Sequence, residues 1–126
     1  MYGMSRGPLP RRALAEALPL ARHRGMIQVA SHGPENLYDF SIVSVIPVTF
    51  VRVGFCADIH MHAAEIAQKF KEKLTRLNMI LMHEVISREL WLRSRYGAWR
   101  FFRLIGDNLI ELGPDGNYLP EKTSQT

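Results

Sequence analysis

Hydrophobic and polar positions in the first half of the chain predict a helix followed by three strands. Apolar residues recur at helical spacing over residues 11–25, which is typical of an amphipathic helix. Residues 26–31 then alternate between apolar and polar, and two β-branched segments, residues 38–46 and 48–55, lie on either side of Pro47. Because alternation and β-branched runs are typical of strands, three consecutive strands are expected here.

The second half of the chain predicts one long helix and a further group of strands. Over residues 63–78, Ala67, Phe70 and Leu74 fall on one stripe, and lysines occupy the polar face. The segments SRELWLRS, AWRFFRLI and LIELG then predict two or three strands joined by turns. This order of elements indicates an α/β or α+β fold, with a central mixed β-sheet and flanking helices.

Composition and length predict one domain, at residues 11–113, between a flexible N-terminal tail at residues 1–10 and a C-terminal tail at residues 114–126. The chain has 126 residues, and its 47% apolar and 22% charged residues exclude wholesale disorder. One cysteine, Cys56, cannot form an internal disulfide, and no apolar segment is long enough to cross a bilayer. We therefore expect a cytoplasmic protein with no membrane partner.

Candidate chemistry begins at Asp39, which opens the second predicted strand in NLYDFSIVSV, while TFVRVG follows on the third. With an opening helix that carries Glu16 and a basic helix after the strands, the chain resembles the PD-(D/E)XK family of nucleases, which includes archaeal Holliday-junction resolvases. The resemblance covers residues 11–104 and implies a restriction-endonuclease-like fold, in which Asp39 and Glu16 are the remnant catalytic acids. The segments ASHGPENLYDF and RELWLRS also resemble small archaeal proteins of unassigned function.

The same resemblance implies impaired catalysis. Arg52 stands where the family has its second acid, and Gly54 stands where it has its lysine. Because Mg²⁺ needs carboxylate oxygens and is repelled by a cation, no cofactor is expected, and Mg²⁺ only if the protein is an enzyme. Residues of the following helix are alternative partners for Asp39: Glu65, Lys69 and Lys73. A buried hairpin, in which Asp39 bonds to a turn amide, is the purely structural interpretation.

A second candidate site is the segment DIHMHAAE. Its alternating His60 and His62 are weak candidates for a zinc site, since histidines two residues apart on a strand project to one side. No third ligand is assured by the sequence, so we expect no metal there.

Arginine and aromatic residues are interleaved from Leu90 to Ile105, a stretch without any acid. Arginine binds phosphate bidentately and aromatic rings stack on bases, and a net charge of +4 permits a polyanionic partner. The candidate nucleic-acid-binding residues are Arg11, Arg12, Arg22, Arg24, Arg93, Arg95 and Arg100. The predicted function is a nucleic-acid-binding domain on a nuclease-like scaffold, with DNA or another nucleic acid as its partner. The alternatives are a metal-dependent nuclease that uses Asp39, and a protein-interaction module that forms a homodimer.

Overall fold

The structure is a computed structural model and describes residues 11–31 and 36–120. The tail predicted over residues 1–10 lies outside the described residues, as do the last six residues of the chain. Residues 114–120, assigned to the C-terminal tail above, form a turn in which Tyr118 makes a single β-bridge to Leu112.

Three helices and six strands make up the described chain. In sequence order they are α1 (Arg11–Arg22), β1 (Met26–Val29), β2 (Phe40–Val43), β3 (Val48–Phe55), α2 (Ala63–Lys69), α3 (Lys71–Leu77), β4 (Ile86–Arg93), β5 (Trp99–Ile105) and β6 (Asn108–Leu112). The three strands predicted between Met26 and Phe55 are confirmed, and so are the strands of the second half. None of the helices in the described parts of the chain is long and apolar enough to cross a bilayer.

All six strands belong to one sheet, in the order in which they occur along the chain. Neighbouring strands are antiparallel except β3 and β4, which are parallel over residues 48–55 and 86–93. A parallel pair needs a long crossover connection, and α2 and α3 supply it. The prediction of a central mixed sheet with flanking helices is therefore confirmed, and the fold is of the α+β class.

The two faces of the sheet are covered by different helices. Alternation along the strands sends Val51, Val53 and Trp91 to the α1 face, where the alanines of α1 pack on them. Leu90 and Leu92, one residue out of phase, pack against α2 and α3 on the opposite face. The position of a residue along its strand thus decides which face its side chain serves.

The helix predicted over residues 63–78 is divided at Phe70, which separates α2 from α3. Phe70 has φ −105° and ψ 28°, away from helical values. Its amide still donates to the carbonyl of Ile66 at 2.9 Å, and the amide of Leu74 donates to the carbonyl of Phe70 at 3.0 Å. The hydrogen-bonding therefore continues across the break, and the apolar stripe keeps facing the sheet.

Candidate functional site

Asp39 lies directly before β2, and its carboxylate is part of the β2–β3 hairpin. Oδ2 accepts a hydrogen bond of 2.7 Å from the backbone amide of Val53. Oδ1 lies 3.4 Å from Nη1 of Arg52, and the residue is only 5% exposed. Asp39 and Arg52, which the resemblance matches to the two acid positions of the family motif, form an ion pair in the structure.

Glu16, the other acid named from the sequence, is held by other arginines. Its oxygens accept hydrogen bonds from Arg93 at 2.7 Å and 3.2 Å, and from Arg12 at 3.4 Å. Hydrogen bonding from Arg93 is the main reason why the pKa of Glu16 is lowered from its ordinary value. Glu16 therefore ties α1 to the end of β4.

The residues around Asp39 do not fit a magnesium centre. Mg²⁺ prefers several oxygen ligands, whereas Asp39 faces a guanidinium whose Nε is buried and has no partner among the described residues. Within residues 11–31 and 36–120, no three carboxylate, histidine or cysteine side chains are grouped so that they could hold a metal ion.

Gly54, which the resemblance matches to a lysine position, is closely surrounded by side chains. A β-carbon built on Gly54 would lie 3.1 Å from Cδ2 of Leu92 and 3.1 Å from Cε1 of Phe70, so a longer side chain requires these neighbours to move. The same β-carbon would lie 3.5 Å from Cε of Lys73. Of the alternative partners named from the sequence, Lys73 is therefore the one that α3 brings to this position.

The two histidines of the second candidate site lie in the loop that leads from β3 into α2. His60 and His62 are both exposed. The amide of His60 donates to Asp58 at 3.2 Å, and the amide of His62 donates to Glu65 at 3.0 Å. Asp58 therefore accepts from a backbone amide of the loop before α2, and Glu65 accepts from the amide of the residue that caps α2. Glu65, which was named as an alternative partner of Asp39, is thus bonded to the amide of His62.

The seven candidate arginines divide into a partly buried and an exposed group. In the partly buried group each guanidinium binds a carboxylate: Arg24 binds Glu89 through two hydrogen bonds of 2.9 Å, Arg93 binds Glu16, and Arg100 binds Glu111 at 2.8 Å and 2.9 Å. Arg100 also donates to the carbonyl of Met61 at 2.7 Å. These three arginines connect elements of the fold.

The exposed group lies on α1 and in the turn between β4 and β5. Its members are Arg11, Arg12, Arg22 and Arg95. Arg95, Tyr96 and Ala98 are exposed in that turn, and Tyr96 is 90% exposed. Since Arg93 and Arg12 both contact Glu16, this turn lies beside the first residues of α1. We call Arg11, Arg12, Arg95 and Tyr96 the turn surface.

Two buried charged residues on β4 were not singled out by the sequence analysis. Arg88 is 2% exposed and donates to Asn78 Oδ1 at 2.6 Å and to the carbonyls of Ile80 and Leu104 at 3.2 Å and 3.0 Å. Burial lowers its pKa, and the nearby Arg103 lowers it further. Glu89 is 1% exposed. The sequence does contain a signal for them, an adjacent Arg and Glu inside a strand rich in apolar residues. Charged residues are rarely buried without partners, so such a pair indicates buried counter-charges or hydrogen bonds.

Comparisons with known proteins add no relative to this description. No protein-family model matches the chain, and no curated protein matches it significantly. The resemblance to the PD-(D/E)XK family therefore stays a prediction from the residues.

Proposed function

We propose that the protein is a nucleic-acid-binding domain that contacts its partner through the turn surface. The observation that carries the proposal is Tyr96, a large aromatic side chain that is 90% exposed and directly follows the exposed Arg95. Aromatic rings next to guanidinium groups provide stacking for bases together with neutralisation of phosphates. Because the ring is open to solvent beside a guanidinium, it is available to stack on an unpaired base.

The charge of this region supports a polyanionic partner. Arg11, Arg12, Arg93 and Arg95 give four positive charges, and Glu16 gives one negative charge, so the group carries a formal charge of +3. Glu16 already accepts hydrogen bonds from two of these arginines. Phosphates would therefore meet an excess of positive charge, and binding of this kind weakens steeply as salt rises.

The order of elements supports a restriction-endonuclease-like scaffold for this domain. A helix, three antiparallel strands, two short helices and a parallel strand follow one another, with Asp39 at the start of the second strand. We further propose that catalysis is impaired, because Arg52 pairs with the acid that a metal would need. The protein then holds nucleic acid without cutting it.

Binding is tested with labelled single-stranded, duplex and branched DNA at low salt. We expect the double substitution Arg95→Ala, Tyr96→Ala to weaken binding about tenfold or more, because it removes one phosphate contact and one stacking contact. Lys69→Ala is the matched control for charge, since Lys69 is exposed on α2 and lies outside the turn surface. Unchanged affinity of the double variant for all three DNAs would refute the proposal.

The same samples test the two alternative functions. Incubation with Mg²⁺ or Mn²⁺ should leave the DNA intact. Cleavage that Asp39→Asn abolishes would establish the nuclease instead, and the approach of Lys73 to Gly54 is the feature that favours this alternative. A dimeric mass at micromolar concentration, with no change on adding DNA, would establish the interaction module.

A further inference from the structure

A cleft of ≈ 760 Å³ lies beyond the turn surface, at the other end of α1. Its walls are the end of α1, the turn between β2 and β3, and the turn at residues 114–118, and its lining includes the first residues of β3 and β4. Clefts of this size commonly hold small molecules when a few polar groups converge among apolar ones. None of the residues discussed as candidate sites from the sequence, apart from Arg24, lines it.

The floor of the cleft contains two hydroxyl groups on neighbouring strands of the sheet. Thr49 and Ser87 face each other across the parallel pair β3–β4 and are 2% and 3% exposed. The hydroxyl of Ser87 donates to Glu89 at 2.8 Å. The hydroxyl of Thr49 has no hydrogen-bond partner among the residues that the structure describes. Arg52 Nε is the only buried side-chain polar atom without a partner in the described part of the chain. The Thr49 hydroxyl is therefore open to the cleft and available to a bound molecule.

Glu89 beneath the hydroxyls is rigidly held. Its carboxylate accepts two hydrogen bonds from Arg24 and one of 2.9 Å from Nε1 of Trp91. The Arg24 guanidinium is covered by Gly116, whose φ is +90° and where a β-carbon would lie only 2.6 Å from Nη2 of Arg24. Only glycine therefore allows the C-terminal turn to close over this ion pair. The floor is preorganised, so a ligand would lose little free energy in ordering it.

The charges of the lining select the class of ligand. Three carboxylates (Glu84, Glu89 and Asp115) and two guanidinium groups (Arg24 and Arg103) line the cleft, which gives a formal charge of −1 with His23 neutral. Such a lining favours neither a phosphate nor a multivalent cation. The hydroxyl, carboxylate and guanidinium groups of the lining provide both hydrogen-bond donors and acceptors, and other parts of the wall are apolar.

We propose that the cleft binds a single nucleoside, with the polar edge of the base at Thr49 and Ser87 and the ring against the apolar walls. A neutral heterocycle has the required combination of donors, acceptors and apolar faces. This binding site is separate from the turn surface and does not depend on the proposed DNA contact.

The test is calorimetric titration of the full chain with adenosine, guanosine, cytidine and uridine, together with ribose and inorganic phosphate as single-component probes. We expect saturable binding of at least one nucleoside with a Kd below about 1 mM. Thr49→Val should weaken it about threefold to tenfold, because one hydrogen bond to an uncharged group is lost. Thr75→Val is the matched control, since the Thr75 hydroxyl is exposed and bonds to Lys71.

Three outcomes would overturn the nucleoside site. They are the absence of saturable binding by all four nucleosides, unchanged affinity in Thr49→Val, and binding of ribose or phosphate alone with the affinity of the nucleoside. The Arg95→Ala, Tyr96→Ala variant should bind the nucleoside like the parent protein. Failure of the cleft and failure of the turn surface are therefore measured separately.

Discussion

The two ends of α1 use arginine in opposite ways. After the last turn of α1, the Arg24 side chain is 12% exposed and forms a bidentate pair with the buried Glu89. Its guanidinium also lies 5.7 Å from the ring centre of Trp91. At the other end, Arg12 is 82% exposed, and it lies beside the turn that presents Arg95 and Tyr96 to solvent. The Arg24 guanidinium packs against the core, whereas the arginines at the other end belong to the turn surface.

This difference teaches that a basic stretch in a sequence is not one functional unit. A buried pair such as Arg24–Glu89 stabilises the fold only while both partners are present, and removing one leaves an uncompensated charge. An exposed pair such as Arg12–Glu16 contributes little. Arginines of the first kind are expected to affect stability, and those of the second kind are expected to affect binding.

The largest expected effect comes from breaking the buried pair. Glu89→Gln should lower the free energy of unfolding by about 3–5 kcal/mol, because Arg24 is then left buried without its counter-charge. The measurement is the midpoint of urea unfolding at neutral pH. Glu84→Gln is the control: Glu84 is exposed and lines the same cleft, and its substitution should change stability by less than about 0.5 kcal/mol. Similar effects of the two substitutions would contradict the comparison.

A smaller loss is expected at Arg88, a buried arginine whose hydrogen bonds go to neutral oxygens. Arg88→Met should cost about 2 kcal/mol, because the carbonyls of Ile80 and Leu104 lose their donor, while the variant avoids burying a charge. Lys71→Met, at an exposed position of α3, should have an effect near zero. If urea unfolding showed Arg88→Met to be more stable than the parent protein, the desolvation cost of the guanidinium would exceed the free energy gained from its hydrogen bonds.

At the turn surface the expected change in stability is the smallest of the substitutions. Arg95→Ala with Tyr96→Ala should shift the free energy of unfolding by less than about 0.5 kcal/mol, since both side chains are exposed. The measurement is again the midpoint of urea unfolding at neutral pH. A loss of stability similar to that of Glu89→Gln would show that these residues are structural. A weaker DNA affinity of the variant would then be caused by unfolding.

The dependence of stability on pH sharpens the comparison at Glu16. Its pKa is lowered in the folded protein, chiefly by the hydrogen bond from Arg93. A carboxyl with a lowered pKa stabilises the fold above its ordinary pKa of 4.5, and this contribution is lost as pH falls through the folded-state value. The gap in urea midpoint between the parent protein and Glu16→Gln should therefore be present at neutral pH and shrink in acid. A gap that is constant down to about pH 3 would contradict this.

Most of the secondary structure could be predicted because it depends on local patterns. Alternation along a strand places the neighbours Leu90 and Trp91 on opposite sides, and in the structure they pack on opposite faces of the sheet. The helix break at Phe70 was not predicted, since the apolar stripe continues through it. The candidate site was predicted only as a set of positions: Asp39 and Arg52 were singled out, but their direct pairing depends on the hairpin register.

What the sequence by itself determined is the order of helices and strands and the alternation of faces along each strand. Which arginines are structural was decided only by the tertiary structure. Arg24 and Glu89 are 65 residues apart, and Arg93 and Glu16 are 77 apart. A charge can be buried only where its counter-charge arrives, and the arrival of residues so distant along the chain is set by how α1 packs on the sheet.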